Sequence, residues 1–385
     1  MARVLGIDPG TGSMDLLLLD DKDNKVLYEE AIPRPWVTEN PRIILDRVET
    51  LNKKYSLDAI AAPSGYGIPH NLERDILDYI MEATFIHEDD LRVNIQIQGL
   101  RRVMLELYNS GLNVYFTPGV IHLPTVPKHR KTNRIDMGTA DKIFTVAAAL
   151  YDSVEVRGEE LGNANFIVVE AGKAYTASIA VESGTIIDGI GGTLGDHGFL
   201  GAGAFDAEVA YTLASLEGRF SRKRLFEGGA GFLAGELDVG SFAAKIAMGD
   251  EKSKSALELL AESVAKNVFR LLPSFNTKPR ALYVSGRLFR QKLLSGYIIE
   301  KIAGKFELYG LDMEIRRVPR FGKLTKEGAT GAALLASGYM GGRYDWIVKS
   351  LRLRESKGSI FDYVIIGGLA NRARNYFINV GRDTL

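Results

Sequence analysis

Residues 4–13 read Val-Leu-Gly-Ile-Asp-Pro-Gly-Thr-Gly-Ser and run on into the apolar stretch Leu16 to Leu19. An apolar strand that ends in an acid and then turns through Gly10, Thr11, Gly12 and Ser13 leaves backbone N–H groups and two hydroxyls available to surround an anion. Asp8 would set a negative charge beside a phosphate held there, so the loop makes chemical sense with a divalent cation such as Mg²⁺ between them, water-bridged. The plainer reading is a hairpin that Pro9-Gly10 and Thr11-Gly12 merely reverse.

A second copy of the pattern tips the balance toward the phosphate loop. Setting Asp8 on Glu170 also superimposes Gly10 on Gly172, Val4-Leu5 on Phe166-Ile167, Leu17-Leu18-Leu19 on Ile179-Ala180-Val181, and Asp20 on Glu182. Each copy then turns and returns with a short apolar segment, Val26-Leu27 or Ile186-Ile187, as a second hairpin does. Two related halves facing one another would place two acid-bearing loops on opposite sides of one phosphate chain, with Asp8 and Glu170 as the candidate metal ligands. Lys173 follows Gly172 at the position matching Thr11, where a lysine neutralises charge developing on a transferred group.

This grammar resembles the acetate and sugar kinase, Hsp70 and actin (ASKHA) superfamily, and the later pieces come in that superfamily's order. A glycine-rich segment, Gly189 to Thr193, follows the second hairpin; Ala281 to Ser285 is a strand leading into Gly286-Arg287; and Gly328 to Ala333 is a small-residue helix. Asp8 to Ser13 is similar to the Asn-Pro-Gly-Ser-Thr-Ser loop of butyrate kinases. The whole chain resembles an archaeal family described as predicted butyrate kinases (DUF1464). The resemblance implies an α/β fold of two RNase H-like (actin-like ATPase) domains around a central nucleotide cleft, with ATP and Mg²⁺ as ligands. It implies that the phosphates are gripped by Gly10, Thr11, Gly12, Ser13, Gly172 and Lys173, with Gly191, Gly192 and Thr193 nearby and adenosine at Ser285, Gly286 and Arg287. Asp15 stands where acetate and butyrate kinases carry Lys, and Asp8 where they carry Asn.

Composition narrows the classes. The 385 residues are 46% hydrophobic and carry 48 basic and 48 acidic side chains, enough for a substantial core and no net field favouring nucleic acid or an anionic membrane. The expected partner is a small-molecule substrate. Cysteine is absent, which excludes disulfides, thiolate nucleophiles and cysteine-held metals. No signal-peptide pattern and no uncharged run of about 18 apolar residues occur, so a cytoplasmic protein is expected.

Along the rest of the chain, Pro33, Pro35 and Pro41 around Trp36 predict a stiff connector without helix in its middle. The strand Leu57 to Ala62 ends at Pro63-Ser64-Gly65, where Ser64 borders a substrate or simply turns the chain. The basic run Lys128 to Lys131 leads to Arg134, a candidate for an anionic substrate. Thr139 predicts the start of a helix, with Asp136 and Asp141 at its entry as candidate catalytic acids: a base for a hydroxyl acceptor, or an organiser of Mg²⁺ for a carboxylate one. His197, in the glycine-rich loop 193–205, is a further substrate candidate. The expected division is 1–155, 156–340 and a C-terminal segment 341–385 that packs on the first domain or on a partner in a homodimer. The leading expectation is an ATP-dependent kinase for a short-chain carboxylate such as butyrate; an ATPase regulating a partner protein and a nucleotide-binding pseudoenzyme stay open.

Overall fold

The computed structural model describes residues 2–92, 96–218 and 221–383. The chain divides into two compact units, one of Met1–Ala164, Val181–Asp188 and Val318–Leu385, the other of Asn165–Ala180 and Gly189–Arg317.

In the first unit the opening stretch forms β1 (Arg3–Pro9) and β2 (Ser13–Asp20), followed by β3 (Lys25–Pro33), β4 (Ala59–Ala62) and β5 (Val114–Phe116). They assemble in the order β3-β2-β1-β4-β5, antiparallel through the two hairpins and parallel from β1 to β4 to β5. Every residue of β2 is buried, which is why Leu16 to Leu19 run on without alternating with polar residues.

The second sheet uses β6 (Phe166–Ala171), β7 (Thr176–Glu182), β8 (Thr185–Ile190), β9 (Ala281–Ser285) and β10 (Glu314–Arg317), in the order β10-β9-β6-β7-β8. Position for position this is the first sheet again. The repeat read from Asp8 and Glu170 therefore extends to five strands per half. By register Pro63-Ser64, beyond β4, falls where Ser285-Gly286 stands at the end of β9, and Gly65 and Gly286 both have positive φ.

Two expectations differ. Residues 318–340 group with the first unit, not with the second half, because the helix Glu327–Tyr339 is wholly buried against β1, β4 and the helix Ala140–Tyr151. Its small residues let backbones touch: a Cβ on Gly331 would lie 1.7 Å from the Phe144 carbonyl oxygen, and one on Gly6 would lie 2.4 Å from the Ala333 nitrogen. The proline-rich connector is also partly helical, over Arg34–Glu39. Pro35 falls in the first turn, where its missing N–H has no intrahelical partner to lose. The C-terminal helix Leu369–Arg382 lies on the first unit, with Phe377 at 4.9 Å from Phe85 and Arg382 paired to Asp78 at 2.6 Å.

Candidate active site

The antiparallel register sets Asp8 directly opposite Asp15, so the two carboxylates share one face of the β1–β2 hairpin, both buried. Like charges so close need a cation, and Lys326, at the start of the helix Glu327–Tyr339, supplies it. Its Nζ lies 2.7 Å from Asp8 Oδ2 and 3.9 Å from Asp15 Oδ2. Its backbone N–H donates to Asp15 Oδ2 at 2.8 Å, and Ser13 Oγ donates to Asp15 Oδ1 at 2.6 Å. Two glycines make room: a Cβ on Gly10 would lie 2.5 Å from the Lys326 ammonium, and one on Gly328 would lie 2.7 Å from the Asp8 carboxylate.

Asp141 belongs to the same cluster. Burial acts to raise its pKa, but the Lys142 ammonium at 2.6 Å, the Thr139 hydroxyl that donates to it and the field of Lys326 outweigh this and hold it below the usual carboxylate value. Asp141 is therefore ionised at neutral pH and a weak proton acceptor. Arg34 is also near, since Asp141 and Asp8 both act on its pKa. Thr11 and Gly12 hold the loop through their carbonyls, which accept from the Gln96 side chain at 3.3 Å and from the Arg34 backbone N–H at 3.1 Å.

The structure thus brings Asp8, Gly10, Ser13 and Asp141 together. Asp136 is buried and accepts from the Gly138 N–H at 3.3 Å, fixing the turn into the helix. Ser64 is fully buried; its hydroxyl donates to the Ala62 carbonyl at 3.0 Å and accepts from the Thr117 N–H at 2.9 Å, so it serves the turn. Arg134 is half-buried, and its backbone N–H donates to the Lys131 carbonyl. Lys131 donates to the Leu123 carbonyl at 2.7 Å beneath the Tyr363 ring, and burial pulls its pKa down to about 8.

In the second unit, Gly172 closes a tight turn by donating to the Tyr175 carbonyl at 2.9 Å, and Lys173 follows at the rim of a cavity of about 410 Å³. Arg287, Arg290 and Lys292 line the same cavity with Gln291, Val239, Gly240 and one acid, Asp238. Asp238 starts the helix Val239–Ala247; the Ser241 N–H that it accepts is the main cause of its lowered pKa, and Lys173 adds to it. Four cations against one carboxylate leave the lining net positive, a field that favours an anion over a cation. Gly286 adopts φ +101°, and a Cβ there would lie 2.4 Å from the Ala171 carbonyl, so only glycine lets the end of β9 close against the end of β6. Glu170 pairs in register with the buried Ser285 on that neighbouring strand. Gly192 lies against Tyr175, which places the turn Gly191 to Thr193 beside the Lys173 loop. His197 is half-buried in the following loop, outside the cavity lining.

The Asp8 carboxylate carries the Lys326 ammonium at 2.7 Å on Oδ2, so a Mg²⁺ bridged to Asp8 through water would share that carboxylate with the lysine.

A family model described as "Protein of unknown function (DUF1464)" matches residues 6–366. The chain belongs to the DUF1464 family. No curated protein matches it. Among solved structures it is similar to acetate kinase from Porphyromonas gingivalis, with a TM-score of 0.62 and 15% identity over 88% of this chain and 100% of that one. It is also similar to a propionate kinase from Francisella tularensis subsp. tularensis SCHU S4, at 0.57 and 16% over 86% and 98%. Acetate kinase from Entamoeba histolytica gives 0.54 and 11% over 80% and 87%. At these identities the likeness shows the fold, and it is the ASKHA fold that the sequence resembles.

In this DUF1464 chain, sequence reasoning passed over Lys326 and Arg34. A signal existed for the first: a lysine where a helix begins opposes the helix dipole, and such a residue calls for a buried acid to hold it.

Proposed function

We propose that the protein is an ATP-dependent small-molecule kinase whose acceptor is a short-chain carboxylate such as butyrate. The observation that carries the reading is the cationic cavity of the second unit. It is built at the ends of β6 and β9 from Lys173 and Arg287, both expected there on sequence grounds, and its size suits a nucleotide. Lys173 and the Arg287 guanidinium hold phosphate oxygens, and ATP brings its own Mg²⁺ as part of the substrate. In phosphoryl transfer the protein positions the reactants and neutralises charge.

A hydroxyl acceptor must lose a proton, and Asp141, which its neighbours hold below the usual carboxylate value against the effect of burial, is ionised but a weak base for that step. A carboxylate attacks as it stands. The names of the similar structures, acetate and propionate kinases, point the same way.

The test follows ADP formation with butyrate, propionate, acetate and sugars offered in turn. Stimulation by carboxylates alone is expected; turnover with no small acceptor overturns the kinase reading, and stimulation by a protein partner instead would favour an ATP-driven regulator. In parallel, Lys173→Ala and Arg287→Ala are each expected to weaken ATP binding about tenfold or more by calorimetry. Unchanged affinity in both would remove the cavity from the nucleotide site.

A further inference from the structure

Arg34 follows β3 directly, and its backbone N–H donates to the Gly12 carbonyl of the glycine loop at 3.1 Å. Its Nη2 donates to the Gln96 carbonyl at 3.0 Å, and the Gln96 side chain returns to the Thr11 carbonyl at 3.3 Å. The residue is thus tied to the loop from two sides. It is 4% exposed, and among the described residues its Nε and Nη1, both buried, meet no hydrogen-bond acceptor. Burial pulls its pKa down to about 10, while Asp141 and Asp8 act in the opposite direction; the guanidinium is charged at neutral pH. Both acids are close enough to be felt, yet among the described residues neither forms an ion pair with it.

A buried cation with unused donors is costly to keep and is retained where something completes it. Asp8 and Asp15 already share Lys326, and Asp141 shares Lys142, so the acids of the cluster have cations of their own. What Arg34 lacks is an oxyanion with at least two acceptor oxygens, the partner a guanidinium fits best.

We propose that Arg34 is the residue that receives a ligand oxyanion at the first glycine loop, the carboxylate of the acceptor or the phosphoryl group passed to it. This rests on the kinase reading for the ligand's role, though not for the binding itself. It identifies the ligand as an anion and not a sugar.

The experiment uses the full chain without nucleotide and titrates butyrate, acetate and inorganic phosphate by calorimetry, with butyramide as the uncharged control. At least one oxyanion is expected to bind the wild type and butyramide not to. Arg34→Gln is expected to lower that affinity by about tenfold or more, and Arg34→Lys by less. Loss for the carboxylates alone assigns the acceptor; loss for phosphate alone assigns the transferred group. A second readout separates this from a structural role: without ligand, Arg34→Gln is expected to melt no lower than wild type, because it removes a buried charge of which two of the three nitrogens lack acceptors, while the glutamine amide can still donate to the Gln96 carbonyl. No oxyanion binding to the wild type, equal binding to Arg34→Gln, or a large fall in its unliganded melting temperature each overturns the proposal. Its failure is distinct from that of the kinase reading, because ADP formation and ATP binding at Lys173 are measured separately.

Discussion

Lys326→Met is expected to destabilise the protein by about 3 kcal/mol and, where the kinase reading holds, to lower turnover by at least about a hundredfold. Methionine keeps the unbranched stem and its packing, so the change isolates the charge. Without the ammonium, the Asp8 and Asp15 carboxylates face each other across the β1–β2 register with their shared counter-ion gone. Asp141 also loses part of the field that holds its pKa down. Removing one member of a buried ionic cluster costs far more than the cluster's net worth, because the remaining charges stay buried and uncompensated. Lys326→Arg is expected to restore only part of the loss: Gly10 leaves room for an ammonium, and a Cβ there would already lie 2.5 Å from it, so a broader guanidinium crowds the loop. Urea midpoints and ADP formation are the measurements. A Lys326→Met protein with wild-type stability and turnover would show that the three acids are balanced in some other way.

The symmetry was legible because it is carried by short-range pattern. The runs Val4 to Leu19 and Phe166 to Val181 each encode strand, turn and strand locally, and each forms the central hairpin of its five-stranded sheet. Lys173 comes from that repeat and Arg287 from the superfamily resemblance; the structure puts both in the lining of one cavity. Lys326 was not, because it reaches Asp15 across 311 residues and its own surroundings, Thr325 to Ala333, read as an ordinary small-residue helix. Arg34 was hidden by the prolines beside it, which argued against regular structure although Pro35 is at home in a first turn. Residues 318–340 went to the wrong half because adjacency in sequence stood in for packing, whereas glycines 6 and 331 allow contacts with the first unit that only backbone proximity explains.

Those contacts set the second large effect. Gly331→Ala is expected to cost about 3 kcal/mol or to abolish soluble expression, although alanine is the better helix former by about 1 kcal/mol. The new methyl would lie 1.7 Å from the Phe144 carbonyl oxygen and 2.5 Å from its carbon, both backbone atoms of the helix Ala140–Tyr151, and neither can turn aside as a flexible side chain would. The helix Glu327–Tyr339 has to retreat, yet it is already packed on β1 so closely that a Cβ on Gly6 would lie 2.4 Å from the Ala333 nitrogen. Gly296→Ala is the control, since Gly296 lies in the helix Lys292–Leu308 with nothing within 4 Å of the added carbon. There the same substitution is expected to stabilise by up to about 1 kcal/mol. If both variants shift the melting temperature in one direction, close backbone packing is not what fixes this helix. If they diverge, the retreat of Glu327–Tyr339 should also draw Lys326 off Asp8, and Gly331→Ala will lose activity at temperatures where it is still folded.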